Sequence, residues 1–77
     1  MKKLVIVGCG RLAGIVSDAV VNGLLPEYDL VGVYSRTAEK AERIVAKMQQ
    51  HGKTCMACTT IEDLLALKPD YLVDAAS

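Results

Sequence analysis

Four consecutive apolar residues, Leu4-Val5-Ile6-Val7, run directly into Gly8-Cys9-Gly10-Arg11-Leu12-Ala13-Gly14. The first group is apolar without alternation, the pattern of a strand covered on both faces. Three glycines in the next seven residues are poor helix material. Yet a helical apolar repeat follows at once, in Leu12, Val16, Ala19, Val20 and Leu24. A buried strand that turns through glycines into a helix opens a β-α unit, in which helices cover a mostly parallel sheet.

The rest of the chain continues the alternation. Lys3 to Val7 is the first strand, and Leu12 to Leu25 the first helix, closed by Gly23 and Pro26. Asp29 to Tyr34 forms a second strand. Thr37 is placed to cap a second helix, with Glu39 in its favourable first turn and Ala41, Ile44, Val45 and Met48 on one face. His51-Gly52 ends it. Thr54 to Cys58 is a short third strand. Thr59-Thr60-Ile61-Glu62 reads as a capping box for a short helix whose inner face is Ile61, Leu64 and Leu65. Pro69-Asp70 then turns the chain into a fourth strand, YLVDAA. This β-α-β-α-β-α-β order predicts an α/β fold of the Rossmann type, a doubly wound parallel sheet present in part. Four strands in the order 3-2-1-4 and three helices are expected, as one domain over residues 1–77.

Composition narrows the function. The 77 residues carry nine Lys plus Arg and nine Asp plus Glu, so no basic excess points to nucleic acid. No apolar run nears the roughly 20 residues of a membrane span. The start MKKLVIVGCG has too short an apolar run for a signal peptide, and no cleavage pattern follows. The expectation is a cytoplasmic protein with no membrane partner. At 52% hydrophobic residues, the chain is richer in apolar surface than its size demands, which points to a neighbour that covers some of it. Three cysteines, Cys9, Cys55 and Cys58, do not make a disulfide framework. Cys55 and Cys58 stand three apart on a strand and face opposite sides, which suits small buried hydrophobes better than a metal or redox pair.

The glycine loop matches the dinucleotide fingerprint G-x-G-x-x-A in its required context, after a strand and before a helix. Gly8 allows the tight turn, Gly10 lets the backbone approach a pyrophosphate, and Ala13 is small enough for the helix to pack on the strand. The helix amino terminus aims N–H groups and positive dipole at the anion. Arg11 either lies over the pyrophosphate or is exposed. Gly14 is an extra glycine, suited to close packing by a strand or another domain. The end of the second strand selects the dinucleotide. An acidic residue there would bind both ribose hydroxyls of NAD. The chain reads Tyr34-Ser35-Arg36-Thr37 instead, and Asp29 lies at the wrong end of the strand. A hydroxyl and a planar cation suit a 2′-phosphate, with Lys40 one turn on. NADP is therefore the expected cofactor, with NAD weaker; the alternative for Arg36 is a solvated surface charge. Ala75-Ala76-Ser77 falls where ligands lie in open α/β sheets, and small residues there leave room for them. His51, at a helix carboxyl end, shows no partner in the sequence that would make it catalytic. Asp74 is either a buried positioning carboxylate or a solvent-facing strand end.

Together, VIVGCGRLAG, VGVYSRTAEKAERI and TIEDLLALKPDYLVDAAS resemble the amino-terminal domain of L-aspartate dehydrogenases. The last stretch is the most telling, with an acidic residue before Ala75-Ala76-Ser77. The middle stretch is equally similar to the glucose-fructose oxidoreductase and inositol dehydrogenase superfamily, and homoserine dehydrogenase shares the plan more distantly. The resemblance implies NAD(P)-dependent oxidative deamination of L-aspartate through an iminosuccinate. It implies cofactor contacts at Gly8, Gly10, Arg11, Leu12, Ala13, Ser35, Arg36, Thr37, Ala75, Ala76 and Ser77. Family members often carry aspartate where this chain has Ser35, which weakens a strict NAD preference. The family's substrate domain and catalytic histidine have no counterpart in these residues. The reading is thus a domain truncated from a longer enzyme, able to bind cofactor but not to turn over substrate alone. Its fourth strand would form a sheet edge that invites pairing with another copy, so a homo-oligomer is expected. A non-catalytic nucleotide-binding module and a structural α/β domain whose glycine loop binds nothing are the remaining alternatives.

Overall fold

Seven elements alternate along the computed structural model, which describes residues 1–75. They are β1 (Lys2–Val7), α1 (Arg11–Val21), β2 (Tyr28–Tyr34), α2 (Ala38–Gln50), β3 (Met56–Cys58), α3 (Ile61–Leu65) and β4 (Tyr71–Asp74). The strands form one parallel sheet in the order β3-β2-β1-β4. The alternation, the all-parallel pairing and the strand order are those the sequence predicts. None of the helices is long and apolar enough to cross a membrane, among the described residues.

Side-chain alternation along β1 divides the interior into two cores. Leu4 and Ile6 join the larger one, with Ala13 and Val20 of α1 and Ala41, Ile44 and Met48 of α2. Val5 joins the smaller one on the other face, with Cys58 and Leu64, and Val7, Val31 and Leu67 pack against it. Thus α1 and α2 cover one face of the sheet and α3 the other. Val5 and Ile6 are both fully buried, as a central strand covered on both sides requires.

Strict alternation fails once. Leu4 pairs with Leu30 but Val5 pairs with Gly32, so β2 bulges at Val31. Leu30 and Val33, three residues apart, therefore both reach the larger core. The bulge leaves Gly32 on the α3 side. A Cβ at Gly32 would stand 2.5 Å from Leu67 Cδ1 and 3.1 Å from Leu64 Cδ1. The missing side chain is the space into which α3 packs.

Helix boundaries follow local chemistry. α1 stops at Val21, four residues before the Leu25 that periodicity suggests. Gly23 adopts φ 75°, Leu24 N–H donates to Ala19 O and Gly23 N–H to Val20 O, a Schellman closure. α2 ends identically around His51 and Gly52, with Lys53 N–H on Met48 O. The cap of α3 sits one residue later than the expected capping box. Thr60 Oγ1 accepts the Asp63 N–H at 3.0 Å, and the Thr59 hydroxyl donates to Asp63 rather than working with Glu62. That shift also changes the helix's inner face. Only Leu64 is buried, whereas Ile61 is 38% and Leu65 51% exposed. Gly14 has no tight neighbour, since a Cβ there would meet nothing within 4 Å, so packing within this chain does not require it.

α1 and α2 are tied by Lys47, whose Nζ donates to Ser17 Oγ and pairs with Asp18, each at 2.8 Å. Ser17 is itself buried and donates to Gly14 O. β4 is anchored at its start, where Lys3 N–H donates to the Asp70 carboxylate and Asp70 N–H to Lys3 O. Tyr71 packs edge-on against Tyr28, with Lys2 Nζ over its ring. Among the described residues, no strand pairs with the outer edge of β4.

All three cysteines are free thiols. Cys55 lies in the larger core and Cys58 in the smaller one, on opposite faces as their spacing predicts. Burial, reinforced by nearby Cys58, Asp29 and Cys9, pushes the Cys55 thiol up to about 12. A thiol whose pKa is higher folded than unfolded holds its proton in the native state while the unfolded chain loses it. Stability from this group is complete below the thiol's ordinary value of 9.0 and falls as pH rises from there towards about 12. Urea denaturation at stepped pH should show that decline, and Cys55→Ala should flatten it. Leu64→Ala is expected to cost about 2–5 kcal/mol. Leu65→Ala should stay within about 0.5 kcal/mol of the parent in the same assay.

Candidate functional site

The carboxyl ends of β1, β2 and β4 converge on one cleft of about 500 Å3. β1 delivers Gly8 to its floor. Gly8 has φ 87°, in the left-handed region that favours glycine, and its N–H donates to Tyr34 O at 2.6 Å. That bond carries the β1–β2 ladder one step past the strand and holds the loop against the end of β2. Gly10 takes the N-cap position of α1 and offers no side chain to it. The first N–H groups of a helix have no partner within it, and here no side chain replaces one. They remain available to an anion at the loop.

The opposite wall comes from the β2–α2 turn. Ser35 Oγ accepts the Thr37 N–H at 3.2 Å, closing a tight hydroxyl turn. Thr37 does occupy the N-cap of α2, but its side chain makes no capping hydrogen bond, contrary to the sequence expectation. The Lys40 N–H, a donor such a cap would take, goes to Thr37 O at 3.0 Å, and Thr37 lines the cleft with Arg36 and Lys40. Glu39, in the same first turn, points away and pairs with Arg43 at 2.8 Å in an exposed bridge. The cleft is therefore bordered by two cations, and among the described residues no carboxylate lines it.

Cys9, between the two glycines, has its Sγ 3.9 Å from Tyr34 O. Burial raises its thiol pKa, and the Ser35 hydroxyl and the Lys40 charge partly offset that rise. This places Ser35 and Lys40 beside the glycine loop, so the two walls meet there. Ala75 completes the cleft from the β4 side, its N–H donating to Val7 O at 2.7 Å.

Of the residues singled out from sequence, Gly8, Gly10, Ser35, Arg36, Thr37 and Ala75 are brought together around this one cleft. Ala13 is wholly buried and packs α1 onto the sheet. Arg11 and Leu12 are exposed on the first turn of α1 and do not line the cleft. Ala76 and Ser77 lie outside the described residues. Asp74 is an exposed strand end opposite Val7, and Asp29 pairs with Lys3 at the far end of β2. His51 sits away from the cleft with Nδ1 donating to Lys47 O at 3.0 Å. Among the described residues, no group of three or more His, Cys, Asp or Glu is placed to hold a metal ion. Sequence reasoning missed Ile61, which enters the cleft from the first turn of α3. Its position after Thr60 was legible, but its direction depended on where the cap fell.

No protein-family model matches the chain. It is 33% identical to a protein from Methanocaldococcus jannaschii named L-aspartate dehydrogenase, over 81 aligned positions that take in the whole chain. It is 26% identical over 77 positions to the L-aspartate dehydrogenase of Methanococcus maripaludis strain C7. In both cases the chain spans 27% of the relative's length. With the strand order, the glycine loop and the converging strand ends, these matches make the chain a homologue, along its whole length, of the amino-terminal portion of L-aspartate dehydrogenases.

Proposed function

We propose that residues 1–77 form the cofactor-binding domain of an L-aspartate dehydrogenase-like oxidoreductase, and that the cleft takes NADP in preference to NAD. The observation that carries this reading is Gly10. Its φ of −85° is open to any residue, and a Cβ there would stand 3.7 Å from Ala75 O, an ordinary contact. The fold does not need glycine at this position; a ligand lying against the loop does.

In this reading the pyrophosphate rests on Gly8 and Gly10. The N–H groups of Arg11, Leu12 and Ala13 point at it from the start of α1. The Arg11 side chain, exposed and beside the loop, covers it from solvent. Ser35, Arg36 and Thr37 take the adenosine ribose. The cleft has no carboxylate to accept two ribose hydroxyls, whereas Arg36 and Lys40 offer a planar fork and a point charge to a 2′-phosphate. The nicotinamide half extends past Ala75 at the end of β4. The bound dinucleotide supplies hydride transfer; the residues of this chain bind and orient it, and none is assigned a catalytic role. The domain alone binds cofactor without turning over substrate, and its setting is cytoplasmic. The unpaired β4 edge, with Tyr71 and Leu72 exposed, makes it a homo-oligomer in isolation.

Calorimetric titration tests the cofactor reading. NADPH should bind more tightly than NADH. Arg36→Ala should weaken NADPH by about tenfold or more, the scale of one charge-assisted hydrogen bond, and leave NADH nearly unchanged. Gly10→Ala should weaken both while its denaturation midpoint stays close to the parent's. Equal or tighter NADH binding removes the role given to Ser35 and Arg36, and binding of neither overturns the reading. Sedimentation velocity tests the edge: self-association should grow with concentration and fall in Leu72→Lys. A parent chain that stays monomeric at high concentration would sink the oligomer.

A further inference from the structure

We propose that two copies of this chain pair through the flank of α1 that faces away from α2, helix against helix about a two-fold axis beside Ile15 and Val16. The proposal rests on the oligomer reading above and carries that contact from the β4 edge onto α1. α1 is apolar over more of its surface than its place in this fold uses. Ala13, Ser17 and Val20 turn inward and are buried. Ser17 and Asp18 hold the α2 side through Lys47. On the other flank Leu12, Ile15, Val16 and Ala19 recur at i, i+3, i+4 and i+7, a second apolar stripe. Leu12 and Ile15 are both exposed on it. Two stripes on one helix call for two neighbours, and the described residues supply one.

Beside that stripe lies a groove of about 340 Å3 between α1 and β4. Val16 and Leu25 line its helix side, and Tyr28, Tyr71 and Val73 its sheet side. Tyr71 and Val73 pair with Leu4 and Ile6, so they share the face that α1 covers. Knob and hollow therefore lie next to each other on one surface. An interface about a two-fold axis uses the same patch twice and has to fit itself. This patch does, because Ile15 of each copy enters the groove beside Val16 of the other, an apolar helix face laid into an apolar groove. Antiparallel pairing also sets the positive end of each helix against the negative end of its mate. α1 gains from that, since it has no acidic residue in its first turn and no basic one in its last. The other helices offer no such surface. α2 turns Glu39, Glu42 and Arg43 outward, and α3 has only five residues. With the exposed parts of Leu12, Ile15, Tyr71 and Leu72 and the groove between them, each copy contributes on the order of 500 Å2, the low end for a specific interface. The pair is accordingly weak and forms in the micromolar range.

Sedimentation equilibrium of the parent chain, Ile15→Glu and Leu65→Glu tests the contact. Ile15 is 58% and Leu65 51% exposed, on opposite sides of the sheet, so neither change should disturb the fold, which circular dichroism checks. Ile15→Glu should weaken association about tenfold or more, whereas Leu65→Glu should stay within about twofold of the parent. Ile15→Cys places a thiol beside the axis, close to its own counterpart. Diamide, which takes up the two thiol hydrogens, should join the copies there through a disulfide, at a yield the parent does not reach. An Ile15→Glu chain that associates as the parent does overturns the proposal. So does a dimer in which Ile15→Cys gives no cross-link beyond the parent's, and so does an equal loss in Leu65→Glu, since the contact would then be unspecific. The parent and Leu72→Lys separate the two levels. A monomeric parent sinks the oligomer reading and the helix pairing together. A parent dimer that Leu72→Lys dissociates and Ile15→Glu leaves intact keeps the β4 edge and removes the helix pairing alone.

Discussion

β1 is paired on both edges and covered on both faces, and nearly every other feature is referred to it. Val5 and Ile6 are wholly buried on opposite sides, and β2 and β4 flank the strand in parallel. Burying both faces of so short a strand removes most of its apolar area from water, the largest favourable term available to a domain of this size. It also dictates where the chain emerges. With its faces and edges occupied, β1 can present functional groups only at its carboxyl end, and that end is Gly8.

The cleft follows from that constraint. In a parallel sheet every strand points its carboxyl end the same way, so the ends of β1, β2 and β4 and the loops that follow them gather on one rim. The chain moves outward from β1 to β2 and β3, then returns across the sheet to β4 on the other side of β1. Helices therefore leave the rim towards opposite faces, and a crevice opens between them. Gly8 and Gly10 floor it without side chains, Ser35 shapes the turn above β2, and Arg36 with Lys40 gives the rim its positive charge. Charge, shape and free helix N–H groups are the features on which the proposed dinucleotide site rests.

Much of this was legible in the residues. The apolar run at Leu4 to Val7, the helical spacing of Ala41, Ile44 and Met48, and the His51-Gly52 stop each act over a few residues, so local rules sufficed. The loop's position was equally legible because its shape depends on backbone conformation, which glycine placement announces. Three features escaped. The bulge at Val31 arises from matching β2 to β1, and no property of Val31 alone requires it. The need for glycine at position 32 comes from Leu64 and Leu67, thirty and more residues away. The face of α3 was misjudged because in a helix of five residues a one-residue shift of the cap turns the inner side by about 100°.

What the amino-acid sequence determined by itself was the list of elements, their order and the position of the glycine turn after β1. These rest on periodicity, on caps and stops, and on the conformational freedom of glycine, all of which operate within a turn or two of the chain. Tertiary structure alone decided the strand register around the bulge and the close approach at Gly32. It also decided that Thr37 would line the cleft rather than cap its helix, and that Ile61 would face the cleft while Leu64 filled the core. The register and the close approach at Gly32 depend on what stands opposite a residue across the sheet. That neighbour is supplied by a distant segment, chosen when the two faces of β1 are buried together.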